Sequence, residues 1–462
     1  MRSETDKILE RNIIEKYNVP VPGYTSYPPA NYFAEFGEGD YKNAVALSNG
    51  AKDRNLSFYI HFPYCPRLCH YCACNSYPMP QTVEVQKYID ALHKEIDMIL
   101  PLLDKDRKIS QIHYGGGTPT AMPLEAIKEL NCHLLSGFKT IEKPEIAIEC
   151  HPGYIDETGW QTLAEAGFTR MSLGIQDFNN EVLKTVNRKP SKEPLEKIFK
   201  ILRSKNIGIN LDFLYGLPLQ TPESFLETIS QAVALSPDRL VTFSYAHVPW
   251  IKKAQLILEK AGLPKPETKE KMFDDAAQLL ENKGYVRVGM DHFVKPTDEL
   301  YVALKEHKLH RNFQGYCTRR TTAQVYAFGV TGISQLETAY AQNTKDIAEY
   351  VSEITSGKIP VRKGYNLDGK QQLVREVIET LMCNYYIDWR EIADRLSVSE
   401  DELKSATAYS TDSFEKMQKD GILEFDSNTI RITADGKPFV RNVSAAIDPL
   451  MKNTTKSFSK PI

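Results

Sequence analysis

The sequence predicts an α/β protein: a partial (β/α)6 barrel of the TIM type, with an N-terminal arm and a smaller, mainly α C-terminal domain of winged-helix-like character. Two observations support this fold class. Six short apolar segments alternate with longer segments of helical periodicity, which is typical of repeated βα units around a parallel sheet. Polar residues or glycines recur directly after those apolar segments, at the strand ends where barrel enzymes assemble their active sites.

The predicted barrel strands are short runs rich in apolar and β-branched residues: SFYIHF from Ser57, ISQIHY from Ile109, EIAIEC from Glu145, RMSLGIQDF from Arg170, GINLDFLYGLP from Gly208 and RLVTFSYAH from Arg239. The predicted helices between and after them have an amphipathic period and span 83–103, 125–135, 156–166, 180–186, 194–204 and 222–235. A seventh extended segment, VRVGMDHFV, follows a predicted helix at 267–283 and is expected to close or extend the sheet.

The sequence changes in character after residue 345. The segment KIPVRKGYNL at 358–367 predicts a linker, and helical patterns follow from Gln371, at 388–396 and at 412–420. The segment GILEFDSNTIRITADGKPFV predicts a β-hairpin with a turn at 426–428. Because this winged-helix-like module lacks a basic stripe, a lid or packing role is favoured over DNA binding. The expected division is an arm at 1–45, a barrel with its extension at 46–345, a helical domain at 346–455 and a loose tail at 456–462.

Composition excludes several classes of protein. The 462 residues carry 57 Lys and Arg against 60 Asp and Glu, a net charge of −3, which argues against broad nucleic-acid binding. The mean hydropathy is −0.39, and no apolar run approaches the roughly 18 residues of a membrane span. The N-terminus MRSETDKILERNIIEKY lacks the apolar region of a signal peptide. We therefore expect a cytoplasmic protein without a membrane span or a nucleic-acid partner.

Four of the eight cysteines lie together in YIHFPYCPRLCHYCACNSYP, at positions 65, 69, 72 and 74. In a reducing compartment such a cluster favours a metal site over disulfides. Structural zinc sites usually pair two separated cysteine knuckles, and this chain has no second knuckle, so zinc is less favoured. Three cysteines spaced C-x-x-x-C-x-x-C can instead bind three irons of a [4Fe–4S] cluster and leave the fourth iron open for catalysis.

The residues that end successive predicted strands are chemically unusual. Each has an ordinary explanation taken singly, such as a surface carboxylate or a flexible turn. Their recurrence at one end of a parallel barrel instead predicts a shared site. The residues concerned are Gly115, Gly116, Gly117, Glu149, Gln176, Asp177, Asp212 and His247.

These segments resemble a known family. The cysteine loop and GGGTP at 115–119 look like the cluster and glycine motifs of the radical S-adenosylmethionine (SAM) enzymes. Longer segments, among them VPVPGYTSYP, GIQDFNNEVLKTVNR, LDFLYGLPLQTPESF, SYAHVP, GMDHF and RNFQGYCT, resemble the oxygen-independent coproporphyrinogen III oxidases (dehydrogenases) of haem biosynthesis over essentially the whole chain. Cys74 distinguishes this family from related haem-trafficking proteins, which typically carry Phe at that position.

The resemblance implies a role for individual residues. Cys65, Cys69 and Cys72 would bind the [4Fe–4S] cluster, whereas Cys74 would not. The SAM molecule on the cluster would contact Tyr59, Gly116, Glu149 and Ile333. A second SAM molecule would lie among Tyr71, Gly117, Thr118, Gln176, Arg188, Asp212 and Ala246. Gly23, His151 and Cys317 depart from the family pattern, which affects the arm and the residues after Tyr316 more than the cluster.

The implied reaction converts two propionates of coproporphyrinogen III to vinyl groups and gives protoporphyrinogen IX. A 5′-deoxyadenosyl radical from SAM would remove a hydrogen atom from the propionate β-carbon, and carbon dioxide and one electron would then leave. Reduced flavodoxin or ferredoxin is the expected electron donor, and a monomer is expected. Candidate substrate contacts, chosen because the tetracarboxylate needs cationic and polar partners, are Arg311, Gln314, Arg319 and Arg320. Two alternatives stay open: a haem-binding chaperone, and a radical SAM enzyme that degrades or methylates haem.

Overall fold

The computed structural model describes residues 12–319, 321 and 324–460. Its strands, numbered in chain order, are β1 Ala34–Glu35, β2 Asn55–Phe62, β3 Tyr64–Cys65, β4 Tyr77–Pro78, β5 Lys108–Gly116, β6 Thr140–Cys150, β7 Arg170–Gln176, β8 Gly208–Tyr215, β9 Arg239–Ser244, β10 Val286–Val288, β11 His292–Val294, β12 Leu309–Asn312, β13 Gly315–Thr318, β14 Gln324–Phe328, β15 Ile333–Gln335, β16 Ala339–Asn343, β17 Val361–Asn366, β18 Tyr386–Asp388, β19 Leu423–Phe425 and β20 Thr429–Ile432.

The helices are α1 at 12–17, followed by α2 Glu38–Ser48, α3 Thr82–Ile99, α4 Leu124–Gly137, α5 Glu157–Ala164, α6 Asn180–Thr185, α7 Leu195–Ser204, α8 Pro222–Ala234, α9 Leu256–Ala261, α10 Pro266–Asn282, α11 Glu299–Lys305, α12 Ile347–Thr355, α13 Gly369–Asn384, α14 Trp389–Leu396, α15 Glu400–Ala406, α16 Thr411–Lys419 and α17 Val440–Ile447. Among the described residues, none of these helices combines the length and the apolar composition of a membrane span.

The six predicted barrel strands are confirmed. Strands β2, β5, β6, β7, β8 and β9 pair in parallel in this order, and predicted helices occupy the connections between them. Their apolar side chains, together with the helix faces that cover them, form the largest buried core. Since parallel strands end at a common edge, this arrangement places the residues that follow β2, β5, β6, β7 and β8 together.

The sheet extends further than the sequence predicts. Strand β14 adds to β2 in parallel, and β15, β16, β17 and β1 continue the same sheet in antiparallel order. On the other side the segment VRVGMDHFV forms the hairpin β10–β11, which pairs antiparallel with β9. This segment therefore extends the sheet at its edge.

The prediction of a linker at 358–367 is wrong. Strand β17 lies within this segment and pairs with β16 on one side and β1 on the other. Its Pro, Gly and Lys residues are typical of a linker, but Val361 and Gly364 face the interior. Gly364 is required there, because a Cβ atom would lie 2.3 Å from the carbonyl oxygen of Tyr340. We place the start of the C-terminal unit at Asp368, which caps α13.

The C-terminal unit is mainly helical, as predicted, with the predicted hairpin formed by β19 and β20. The turn is held by Asp426, whose Oδ1 accepts hydrogen bonds from the amides of Asn428 and Thr429 at 2.8 and 2.7 Å. Tyr17, Tyr24 and Tyr27 of the N-terminal arm belong to the core of this unit. The chain end also lies against the arm, where the Val21 amide donates to the Ser459 carbonyl at 3.2 Å.

The buried carboxyl group of Glu95 on helix α3 forms hydrogen bonds with the turn that follows β14. Glu95 accepts hydrogen bonds from the Tyr350 hydroxyl at 2.6 Å, the Gly329 amide at 2.8 Å and the Asn343 side chain at 2.8 Å. Two helical turns earlier, the Tyr88 hydroxyl donates to the His61 carbonyl at 2.8 Å. Helix α3 therefore positions both the turn after β14 and the end of β2.

We expect Glu95→Gln to remove a pH dependence from stability. Burial raises the pKa of Glu95 from 4.5 to about 7, so the folded state binds this proton more tightly than the unfolded state. Its contribution to stability is complete below pH 4.5 and is lost as the pH rises through about 7. Urea unfolding at pH 5 and pH 7 should show wild type losing stability relative to E95Q. The exposed Glu84→Gln on the same helix is the control, and parallel pH profiles for wild type and E95Q would contradict the assignment.

Candidate active site

The cysteine loop leaves the barrel at the end of β2. Cys65 lies in β3, and Cys69, Cys72 and Cys74 follow before β4, which returns beside β3. The Met79 amide closes the base of the loop by donating to the Cys65 carbonyl at 2.9 Å. The loop thus brings all four thiols to the carboxyl edge of the sheet.

Two donors point at sulfur atoms of the loop. The Thr118 hydroxyl donates to Cys65 Sγ at 3.3 Å, and Arg188 Nη1 donates to Cys69 Sγ at 3.7 Å and to Tyr71 Oη at 3.1 Å. Arg188 is buried, and its other nitrogen Nη2 donates to the Gly174 carbonyl. A buried guanidinium beside thiols favours their anionic form, which is the form that binds iron.

The thiols also interact with one another. Burial raises the pKa of Cys65, and the charges of Cys72 and Cys69 raise it further. A hydrogen bond from Cys74 lowers the pKa of Cys72 to about 6. Within the described ranges, no three His, Cys, Asp or Glu side chains converge on a site for a single metal ion. The cysteine-rich loop with donors aimed at sulfur fits a [4Fe–4S] cluster, in which each thiolate binds a different iron.

The glycines at the end of β5 and directly after it are required by the protein's own packing. Gly116 has a φ of +117°, and a Cβ atom there would lie 2.6 Å from the Phe62 carbonyl oxygen and 2.8 Å from the His61 ring. A Cβ atom on Gly117 would lie 2.9 Å from the Tyr64 carbonyl oxygen and 3.0 Å from Cys65 Sγ. Glycine therefore lets the end of β5 pass directly under the cysteine loop.

Glu149 stands beside these glycines at the end of β6. Its Oε2 accepts a hydrogen bond from the Gly116 amide at 3.3 Å, and its Oε1 lies 3.1 Å from His113 Nε2. The side chain remains 44% exposed, so the carboxylate is accessible to a ligand. Tyr59 lies on the neighbouring β2, 5.9 Å from the His113 ring, and its hydroxyl contacts His61 Nδ1 at 3.1 Å. The group can bind a cationic ammonium in contact with the glycines.

The predicted second group of contacts lies around the ends of β7 and β8. Gln176 ends β7 with a φ of +69°, and Asp212 on β8 accepts a hydrogen bond from Ser172 at 2.7 Å. Burial raises the pKa of Asp212 to about 6. Tyr71 and Ala246 are joined by Gln255, whose Nε2 donates to their carbonyl oxygens at 2.9 and 3.2 Å.

The remaining candidates lie outside this contact network. Ile333 belongs to β15, two strands from β2, and pairs with Gln342. Arg319 donates to Glu376 at 3.3 Å and to Thr380 at 3.2 Å, so its guanidinium is bound by helix α13. Arg311 packs over the Tyr316 ring at 5.4 Å, and the Gln314 amide forms the turn between β12 and β13 by donating to Asn312. Arg320 lies outside the described residues.

Sequence reasoning missed two residues of the site, His61 and Gln255. His61 contacts Tyr59, and its Nε2 donates to the Asn75 carbonyl, 3.2 Å away, at the far end of the cysteine loop. It lies two residues after Tyr59 on the same strand face, a spacing that identifies it in principle. Gln255 has no comparable signal, because its contacts are with residues distant in sequence.

We expect Arg188→Gln to lower catalytic efficiency more than it lowers the stability of the fold. The variant removes the charged donor to Cys69, Tyr71 and the Gly174 carbonyl. Hydrogen bonds to charged groups contribute about 1.5–3 kcal/mol, so kcat/KM for SAM cleavage should fall at least about tenfold. Arg203→Gln, which removes an ion pair with Asp238 at the opposite end of the barrel strands, is the matched control. Equal kinetics in R188Q and R203Q would contradict the role of Arg188.

Comparisons with known proteins relate the chain to a named family. The profile of the Radical SAM superfamily matches residues 59–232, which include the cysteine loop, the glycines and Asp212. The chain is 36% identical to the oxygen-independent coproporphyrinogen III oxidase of Synechocystis, over 97% of each chain. It is 38% identical to the enzyme of the same name from Escherichia coli, over 97% of this chain and 98% of the relative.

A solved structure leads to the same conclusion. The coproporphyrinogen III oxidase of Escherichia coli, described as a radical SAM enzyme, superimposes with a TM-score of 0.85 at 37% identity. The match covers 92% of this chain and 97% of that one, so it extends into the C-terminal unit. The chain therefore belongs to the oxygen-independent coproporphyrinogen III oxidases of the Radical SAM superfamily.

Proposed function

We propose that this protein oxidatively decarboxylates two propionates of coproporphyrinogen III to vinyl groups and so forms protoporphyrinogen IX in haem biosynthesis. Each conversion takes R–CH2–CH2–COO⁻ to R–CH=CH2, carbon dioxide, one proton and two electrons. The observation that supports the proposal most strongly is the full-length similarity to named enzymes, combined with the cysteine loop and glycine turn at one edge of the barrel.

The residues of the site have separate tasks in this proposal. Cys65, Cys69 and Cys72 bind the [4Fe–4S] cluster, which when bound supplies the electron that cleaves SAM to methionine and a 5′-deoxyadenosyl radical. Glu149 binds the SAM ammonium group beside the glycines at 115–117, whose backbone groups contact the methionine portion. When SAM and substrate fill the site, the surrounding barrel would shield a reactive carbon radical from water and side reactions.

We also propose a second SAM molecule beside the first. Three features support it: the hydrogen bond from Arg188 to Tyr71, the hydrogen bond from Ser172 to Asp212, and the position of Gln176 at the end of β7. A reduced flavodoxin or ferredoxin as electron donor, a monomeric state and a cytoplasmic location complete the proposal. Arg311 and Gln314 remain the proposed substrate contacts. Arg319 is set aside because its guanidinium is already hydrogen-bonded to Glu376 of helix α13.

Anaerobic incubation with coproporphyrinogen III, SAM and dithionite tests the function. We expect protoporphyrinogen IX and 5′-deoxyadenosine, with two molecules of SAM cleaved for each molecule of porphyrinogen product. Absence of both products from protein with a full iron content would overturn the proposal. Stoichiometric retention of haem without turnover would instead identify a chaperone.

A further inference from the structure

An exposed apolar segment projects beside the cysteine loop. Among the described residues, Trp250 and Ile251 are the most exposed large apolar side chains, at 77% and 64%. Leu256 and Ile257, a few positions later, are also more than 40% exposed. We call these four residues the apolar lip. Large apolar side chains that cluster on a surface mark interaction sites.

The apolar lip is fastened to the loop that carries the cluster ligands. Gln255 is fully buried, donates to the Tyr71 carbonyl at 2.9 Å and accepts from the Val248 amide at 2.6 Å. Lys252 Nζ donates to the Cys74 carbonyl at 2.7 Å. A molecule bound to the lip therefore lies next to the segment between Tyr71 and Cys74, which contains the ligand Cys72.

The shape and charge of the lip indicate the kind of partner. Trp250, at 77% exposed, protrudes from the surface, whereas small substrates bind in concave pockets. A protruding tryptophan is typical of the anchors of protein interfaces. Residues 250–260 contain three lysines and one glutamate in a chain of net charge −3, and the glutamate, Glu259, lies 3.5 Å from His247 Nε2. The surface therefore fits an acidic protein.

We propose that the apolar lip is the docking site of an acidic one-electron donor protein, a flavodoxin or a ferredoxin. This inference rests on the proposed function, which requires a reductant outside the chain. In the transfer, one electron leaves the reduced flavin or iron–sulfur centre of the donor and enters the cluster held by Cys65, Cys69 and Cys72. No bond forms or breaks in this step.

The test compares a protein donor with a small reductant. The double variant Trp250→Ala/Ile251→Ser is assayed once with reduced flavodoxin or ferredoxin, whichever supports wild-type turnover, and once with dithionite. We expect at least about a tenfold loss of kcat/KM for the protein donor, equivalent to about 1.4 kcal/mol, since truncating an interface hot spot typically costs at least that much. Dithionite-driven turnover should stay within about twofold of wild type. The dissociation constant of the donor, measured by surface plasmon resonance, should rise by a similar factor.

Matched variants separate the lip from general surface effects. Leu47→Ser on α2 removes an apolar side chain that is 52% exposed, and Lys363→Glu on β17 reverses an exposed charge. Both should behave as wild type, whereas Lys253→Glu/Lys260→Glu should weaken donor binding and reduce its salt dependence.

Three outcomes would overturn the docking site. They are unchanged donor affinity in the lip variants, failure of both donors to bind wild type, and equal losses with donor and dithionite, which would assign the lip to substrate entry. Absence of dithionite-driven turnover in wild type would instead count against the proposed function. The binding measurement then still decides whether the lip is a docking site.

Discussion

Replacement of Cys69 by alanine should abolish cluster binding and all SAM cleavage. The variant removes one of the three proposed ligands and leaves the Arg188 guanidinium beside an empty position. Of the proposed ligands only Cys65 and Cys72 then remain, and the other thiol of the loop, Cys74, is exposed. The cluster would therefore lose one of the three attachments that hold it at the edge of the sheet. Iron and sulfide analysis of anaerobically reconstituted protein should give values near background, and 5′-deoxyadenosine should not form.

The scattered cysteines provide the control for this experiment. Cys132 is exposed on α4, away from the cysteine loop, so Cys132→Ala should keep the wild-type content of iron and sulfide. Cys74→Ala tests whether the contact between Cys74 and Cys72 affects the cluster, since Cys74 is not itself an expected ligand. A Cys69→Ala protein with a full [4Fe–4S] complement would refute the ligand assignment.

Gly116→Ala should have the second largest effect. Its Cβ atom would meet the Phe62 carbonyl oxygen at 2.6 Å, and that backbone cannot retreat because it belongs to the buried β2 strand. The φ of +117° is also costly for any residue with a Cβ atom. Displacement by about 1 Å at a reacting centre can cost about a hundredfold in rate, so we expect a loss of at least that size in kcat/KM for SAM cleavage.

Gly39→Ala is the matched control for Gly116→Ala. Gly39 lies in α2, and its Cβ atom would contact nothing within 4 Å. Alanine also has the higher helix propensity, so this variant should fold and turn over as wild type. Wild-type kinetics in Gly116→Ala would show that the β5 turn can move away from the cysteine loop without effect on the site.

The barrel strands were predictable because their apolar residues recur between helices with a regular spacing. Strand β14 was not, since QVYAF is a short apolar run without neighbouring βα repeats to place it. The composition of strand β17 predicts a linker because it is that of a turn, whereas the strand forms by pairing with β1 and β16. Local sequence does not contain that information.

The residues of the candidate site also differ in how far the sequence identifies them. Thr118 and Arg188 were named from the family resemblance, and the structure places both in contact with thiols of the cysteine loop. Arg319 looked like a substrate contact because it is a cation near RNFQGY, but its partner Glu376 is 57 positions away. Long-range pairing of charges decides which arginine is free to bind an anion, and one sequence does not reveal it.

The central claim is that the propionate β-carbon loses its hydrogen atom to a radical derived from SAM. Coproporphyrinogen III deuterated at the β-carbons of its propionates, incubated anaerobically with SAM and dithionite, tests this directly. We expect 5′-deoxyadenosine that carries one deuterium atom and protoporphyrinogen IX whose new vinyl groups have each lost one. Vinyl product accompanied by unlabelled 5′-deoxyadenosine would contradict it.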